Sequence, residues 1–155
     1  MSKILIYGAG AIGTFLGTRL NSHNEVYLYG KRKLANTSDS IEINGEASPR
    51  PNVLSEIQKG ESFDVVFVTT KLYDAKNVIH ELKEGNLRYG VIVFIQNGLV
   101  EKEFYDELKE MGHVVTLSIF EGYSLNTNKL TANENKMGWQ IDPSEDGEVV
   151  AELLQ

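Results

Sequence analysis

The sequence contains no cysteine, and that single absence removes disulfide frameworks, thiolate nucleophiles and most zinc sites together. Histidine is nearly as scarce. His23, His80 and His113 stand far apart without metal-ligand spacing, so metal chemistry is not expected. Positive charge is also in short supply: 15 Lys and Arg face 22 Asp and Glu, for a formal net charge of −7. A nucleic acid or an anionic membrane needs a cationic face, so neither is an expected partner. Any anion that binds must be held locally. No apolar run is long enough to span a bilayer, and the opening MSKILIYGAG lacks the charged, apolar and cleavage regions of a secretory signal. The expected location is the cytoplasm. With 155 residues, 41% of them hydrophobic, the chain is one domain's worth of sequence with enough apolar material for a core.

What is present alternates between two periods. Lys3–Tyr7 (KILIY) is a short apolar run closed by Gly8, the pattern of a buried parallel strand. Ile12, Phe15, Leu16 and Leu20 then recur at helical spacing over Ala11–Leu20, and after a polar turn Glu25–Tyr29 (EVYLY) predicts a second strand. A strand, helix and strand within about 30 residues is the size of a right-handed crossover unit. Residues 31–40 are polar and structurally ambiguous, and 41–47 (IEINGEA) centre an Asn-Gly pair between alternating residues, which predicts a hairpin. Residues 64–70 (DVVFVTT) are too apolar for a strand with one wet face, so helices are expected on both sides of the sheet. Ala75, Val78, Ile79 and Leu82 give a helical stripe, 91–95 another strand, Val100, Phe104, Leu108 and Met111 a further stripe, and 113–120 a further strand. Residues 125–142, rich in Asn and Thr, read as antiparallel edge strands. Asp142-Pro143-Ser144 opens a last helix whose apolar face is Val149, Val150, Leu153 and Leu154.

Between the first strand and the first helix stands Gly8-Ala9-Gly10-Ala11-Ile12-Gly13, a G-x-G-x-x-G pattern in the context that gives it meaning. Gly8 suits the tight turn leaving the strand, Gly10 lets the backbone approach a pyrophosphate, and Gly13 permits close packing of helix on sheet. The free N–H groups of the helix that follows would hold the phosphates. The expected fold is therefore α/β: a Rossmann-type, doubly wound, mainly parallel sheet with helices on both faces and some antiparallel edge strands. Residues 1–155 are expected to form a single dinucleotide-binding domain. At the end of the second strand, where NAD-binding domains carry an acid for the ribose 2′-hydroxyl, the chain reads Gly30, Lys31, Arg32, Lys33. Cations at that spot favour NADP(H), with Lys31 and Arg32 as candidates for the 2′-phosphate; a solvated basic loop is the competing account.

The sequence at this point resembles the ketopantoate reductase family. The resemblance rests on GAGAIG, on the basic residue after the second strand, on VTTKLYDA (68–75) and on QNG (96–98). It implies that Lys71 and Asn97 face the nicotinamide end of the cofactor and the substrate, with catalytic roles, and that Lys31, with Arg32 beside it, meets the 2′-phosphate. Thr69, Thr70 and Lys71, like Asn97, belong to the edge of the sheet where open α/β folds bind ligands, and complete the expected cofactor-binding set. There Lys71 would hold a carboxylate or polarise a carbonyl. Ordinary helix-start and turn chemistry is the competing account of Lys71 and Asn97. Tyr105 and Lys109 copy the Tyr-x-x-x-Lys spacing of short-chain dehydrogenases, but the glycine pattern is not that family's, and a surface i, i+4 contact is the simpler account.

The resemblance further implies transfer of hydride from NADPH to a 2-oxoacid such as ketopantoate. It also implies a helical second domain supplying the general-acid lysine, which is expected to be absent from these 155 residues. They are accordingly expected to bind cofactor without turning over substrate. Ser118-Ile119-Phe120-Glu121 places bulky and acidic residues where a smaller, more neutral segment would be expected beside the substrate. A stand-alone nucleotide-sensing regulatory domain and an inactive, partner-binding relative are the alternatives. The apolar face of the last helix suggests a surface that meets another domain or a second copy of the chain, so a homodimer is among the expectations.

Overall fold

Successive residues of a strand point to opposite sides of its sheet, and in the first strand of this chain both sides are buried. Ile4 and Ile6 go to one face, Leu5 and Tyr7 to the other, and none of the four is more than 2% exposed. The computed structural model describes residues 1–30, 39–96, 106, 107, 110, 112–133 and 138–155. Its elements run β1 (Lys3–Tyr7), α1 (Ala11–Leu20), β2 (Glu25–Tyr29), β3 (Ser40–Ile43), β4 (Glu46–Pro49), β5 (Asn52–Leu54), β6 (Ser62–Val68) and α2 (Leu72–Glu84). They continue with β7 (Arg88–Gln96), β8 (Val114–Ile119), β9 (Gly122–Asn126), β10 (Lys129–Asn133), β11 (Trp139–Ile141) and α3 (Glu145–Leu153).

Seven strands form the main sheet in the order β11-β8-β7-β6-β1-β2-β5. All its pairings are parallel except β11 on β8. One face carries Leu16 and Leu20 of α1 and Val150 of α3, packed over Ile4, Val26, Phe67, Val93 and Leu117. The other carries Ala75, Val78, Ile79 and Leu82 of α2 over Leu5, Val66, Ile92 and Phe94. Two covered faces explain why β6 and β7 read as continuous apolar runs. The architecture is the doubly wound, Rossmann-type one expected from the sequence. No helix among the described residues is long and apolar enough to cross a membrane.

The local signals resolve as follows. The Asn-Gly pair makes the turn between β3 and β4, with Asn44 at φ 48° and Gly45 at φ 88°, the left-handed values such a hairpin turn needs. Ser144 caps α3 by accepting a hydrogen bond from the Gly147 N–H at 3.0 Å. β6 begins two residues before the expected strand and ends before Thr69, because Lys71 is already the N-cap of α2. β5 was not legible as a strand: it has three residues and follows Pro51. Of the stripe from Val100 to Met111 only Asp106, Glu107 and Glu110 are described, and all three are helical. Tyr105 and Lys109 lie outside the described residues.

The Asn- and Thr-rich region has a different destination from the edge expected of it. Only β11 borders the main sheet; β9 and β10 join β3 and β4 in a second, four-stranded sheet of order β4-β3-β10-β9. The cause is Phe15. It lies on the side of α1 away from the main sheet and packs with Ile41, Leu130 and Ala132. Its ring stands 4.8 Å from that of Tyr123 and 6.4 Å from that of Trp139. Helix α1 is thus held between two sheets, apolar on both sides. Phe15→Ala would open a cavity on the outer side, and we expect it to lower unfolding free energy by about 3–5 kcal/mol in urea titrations. The variant should retain the helical circular dichroism of α1 and α2 below its transition.

Candidate functional site

In the main sheet β1 lies between β2 and β6. The chain leaves β1 through α1 toward β2 on one side and returns to β6 on the other, so the strand order reverses there. A crevice for ligands opens at the carboxyl ends of such strands.

The glycine loop is built into this reversal. Gly8 has φ +130°, and its N–H donates to the Tyr29 carbonyl at 2.8 Å, which ties the turn to the end of β2. A Cβ on Gly8 would stand 2.4 Å from Thr69 Oγ1. At Gly13 a Cβ would lie 1.8 Å from the Gly8 carbonyl oxygen and 2.7 Å from Thr69 Oγ1, so α1 can pass this close only without a side chain. Thr69 closes the arrangement from β6: its hydroxyl donates to the Gly8 carbonyl at 2.9 Å and its N–H to the Tyr7 carbonyl at 3.0 Å. Thr14, buried in α1, adds a hydroxyl contact of 3.4 Å to the Ala9 carbonyl.

Gly10 is the opposite case. It is exposed, and a Cβ built on it meets nothing within 4 Å. It is the N-cap of α1, supplies no side-chain cap, and no acidic residue occupies the first turn. The first-turn N–H groups of a helix have no partner within the helix. Ala11 and Ile12, half-buried beside Gly10, therefore border an uncapped helix start with open space in front of it. This suits the phosphates of a dinucleotide.

Of the remaining predicted residues, the structure describes Thr69, Thr70 and Lys71. Thr69 is engaged internally, as above. Thr70 follows it with its hydroxyl buried and no hydrogen-bond partner among the described residues. Lys71 is exposed at the start of α2, its carbonyl accepting the N–H groups of Asp74 and Ala75. Lys31, Arg32 and Asn97 lie outside the described residues. The chain reaches Lys31 through Gly30, where a Cβ would come within 2.8 Å of Ala9 Cβ, so β2 ends directly against the glycine loop. Gly30 and Thr14 were not among the predicted site residues. For Gly30 the signal was there, a glycine between a strand and a basic run.

Below the loop, the Tyr7 hydroxyl donates to the Glu81 carboxylate. Burial first, and then that carboxylate, push its pKa well above the ordinary tyrosine value, so Tyr7 stays a neutral donor. Glu121 does not stand free beside a substrate. Its Oε2 accepts from the Trp139 indole N–H at 2.9 Å and from the Tyr123 hydroxyl, a clamp between β11 and β9.

The two loop glycines should respond oppositely to the same methyl group. Gly13→Ala forces backbone apart, and we expect a loss of about 3 kcal/mol or more of unfolding free energy. Gly10→Ala, with open space, should change it by no more than about 1 kcal/mol, the cost of a poorer cap. Thermal and urea unfolding of the pair checks this.

Residues 4–138 match the family model described as Ketopantoate reductase PanE/ApbA. A curated relative, the "Uncharacterized oxidoreductase YkpB" of Bacillus subtilis (strain 168), is 30% identical over 102 residues, covering 62% of this chain and 33% of the relative. Among solved structures, D-mandelate dehydrogenase with NADH and anilino(oxo)acetate superposes with TM-score 0.76 at 17% identity, over 98% of this chain and 53% of that one. The 2-dehydropantoate 2-reductase of Methylococcus capsulatus gives 0.72 at 19% identity, over 97% and 53%. The dimeric ketopantoate reductase of Staphylococcus aureus gives 0.68 at 18%, over 98% and 51%. The chain therefore spans about half the length of these solved relatives and a third of the curated one. With the family match running through β1, the glycine loop and β6–β8, this chain belongs to the ketopantoate reductase family of oxidoreductases, with a fold of the nicotinamide-dinucleotide-binding type.

Proposed function

We propose that residues 1–155 form the NADP(H)-binding domain of a 2-dehydropantoate 2-reductase-like oxidoreductase, one that passes hydride from NADPH to a 2-oxoacid. The observation that carries this is the bare start of α1: an exposed glycine cap with open space before it, at the point where the strand order reverses. Gly8 to Gly13 would hold the diphosphate. Lys31 and Arg32 would meet the 2′-phosphate, since the sequence offers cations where an NAD-specific domain offers an acid. Lys71 and Asn97 would face the nicotinamide and the substrate. The cofactor, when bound, supplies the hydride.

Titration of the protein with NADPH and NADH tests the assignment. NADPH should bind more tightly, and Lys31→Ala should narrow that preference by roughly tenfold or more, the loss of one charge-assisted phosphate contact at about 1.5–3 kcal/mol. Gly10→Val should stay folded and bind neither cofactor. Equal affinity of the parent protein for the two cofactors would remove the NADP(H) assignment and leave the dinucleotide site standing.

Turnover is a separate matter. Hydride delivery to a ketone builds alkoxide charge, so a proton donor must stand within hydrogen-bond reach of the carbonyl oxygen. Lys71 is exposed at the start of α2, and such a reaction needs an enclosing wall that excludes water. We expect these 155 residues to bind cofactor and to leave NADPH absorbance unchanged with ketopantoate or other branched 2-oxoacids. Robust oxidation of NADPH would place the acid within this domain, at Lys71 or on a second copy of it.

A further inference from the structure

Two threonines stand side by side at the end of β6, and the structure gives them different occupations. The Thr69 hydroxyl donates to the Gly8 carbonyl at 2.9 Å and reaches the Tyr7 carbonyl at 3.4 Å, so it serves the turn itself. The Thr70 hydroxyl is buried and has no hydrogen-bond partner among the described residues. A buried hydroxyl without a partner destabilises a fold, and a valine of the same shape would avoid the cost. Such a group at a ligand crevice is explained when the ligand supplies its partner.

Its place makes the ligand specific. Thr70 immediately precedes Lys71, the N-cap of α2, at the carboxyl end of β6 where the strand order reverses. Its backbone nitrogen would be 3.2 Å from a Cβ on Gly8, so it lies directly against the glycine turn. We propose that the Thr70 hydroxyl is a direct contact of the bound dinucleotide, one of whose polar atoms supplies the hydrogen-bond partner that the described residues do not. This rests on the dinucleotide-binding reading above. It divides the two threonines by role: Thr69 holds the loop in shape, and Thr70 touches what the loop binds.

The two roles predict opposite signs in two measurements. Thr70→Val should leave the melting temperature of the ligand-free protein unchanged or higher, and should weaken NADPH binding by about threefold to tenfold, the worth of one hydrogen bond. Thr70→Ser, which keeps the hydroxyl, should bind within about twofold of the parent, a margin well below the loss of one hydrogen bond. Thr69→Val should lower the melting temperature of the ligand-free protein, because the Gly8 carbonyl loses its donor. A folded Thr70→Val protein with parental affinity for both NADPH and NADH would overturn the proposal, as would a fall in its ligand-free melting temperature equal to that of Thr69→Val. If Thr70→Val does not fold, full affinity in Thr70→Ser supports the contact and a loss as large as expected for valine refutes it. Failure of the parent protein to bind either dinucleotide would remove both this proposal and the reading beneath it. Normal binding by the parent with an indifferent Thr70 removes this one alone.

Discussion

The approach of Gly13 to the Gly8 carbonyl is the constraint on which the rest depends. At that point the ends of β1 and β6 meet the first turn of α1 within van der Waals distance, and the Thr69 hydroxyl, which stands there, donates to the same carbonyl. Adding one carbon at Gly13 would push the helix off the sheet, and one at Gly8 would strike Thr69. The core contacts of Leu16 and Leu20 would shift with it, since both stand on the same helix and reach the main sheet only if its first turn sits this low. The close contact at the loop and the burial of the core are therefore one condition, set by two residues without side chains.

A helix held so tightly on one side has its other side to account for. In α1 that side carries Phe15, too large and apolar to leave in water, and the chain covers it with segments distant in sequence. The hairpin after β2 and the hairpin after β8 are joined by the parallel pairing of β3 and β10 into one small sheet. Asn44 fastens them, giving a hydrogen bond to the Ala132 carbonyl and taking one from its N–H. At the other end Trp139 and Tyr123 share the Glu121 carboxylate. The small sheet is thus coupled to the main one through α1 and through β11. A disturbance of the β9–β10 hairpin should be felt at the glycine loop.

The sequence made some of this legible and hid the rest for physical reasons. β1, α1, β2, the Asn-Gly hairpin and the Ser144 cap are local: strand and helix periods, a turn pair, a hydroxyl before a helix. Each is decided within a few residues. The second sheet is not. Its decisive pairing, Lys129 with Glu42 and Leu130 with Ile43, joins positions nearly ninety residues apart, and nothing within either hairpin names the other. Phe15 was read as part of the α1 stripe with Ile12, Leu16 and Leu20, and period alone did not show that it packs against a different sheet from Leu16 and Leu20. The same limit applies at the site. The glycine pattern marked Gly8 for a tight turn and Gly13 for close packing, and the structure has both so, but the pairing of Thr69 with Gly8 and the lack of a partner for Thr70 among the described residues depend on β6 lying beside β1. Adjacent, identical residues cannot be separated by composition or period.

Charge gives the last step. The chain is acidic, and where a helix start is structural it uses that acidity: α3 has Glu145, Asp146 and Glu148 in its first turn with Ser144 as cap, and α2 has Asp74. These carboxylates oppose the positive end of the helix dipole. α1 has a glycine cap and no acid at all in its first turn. In a protein with 22 carboxylates, the helix start at the reversal of strand order is thus the one among the three helices described here with neither a capping side chain nor a neutralising charge. An anion brought from outside would meet several unpaired N–H groups there without displacing a resident carboxylate. The net negative charge of the surrounding protein would work against its approach, so the local donors and any nearby cation must outweigh a repulsive background. That balance would make binding of a phosphate-bearing ligand depend on contacts within a few ångströms, and the individual donors at this loop would matter more than they would in a basic domain.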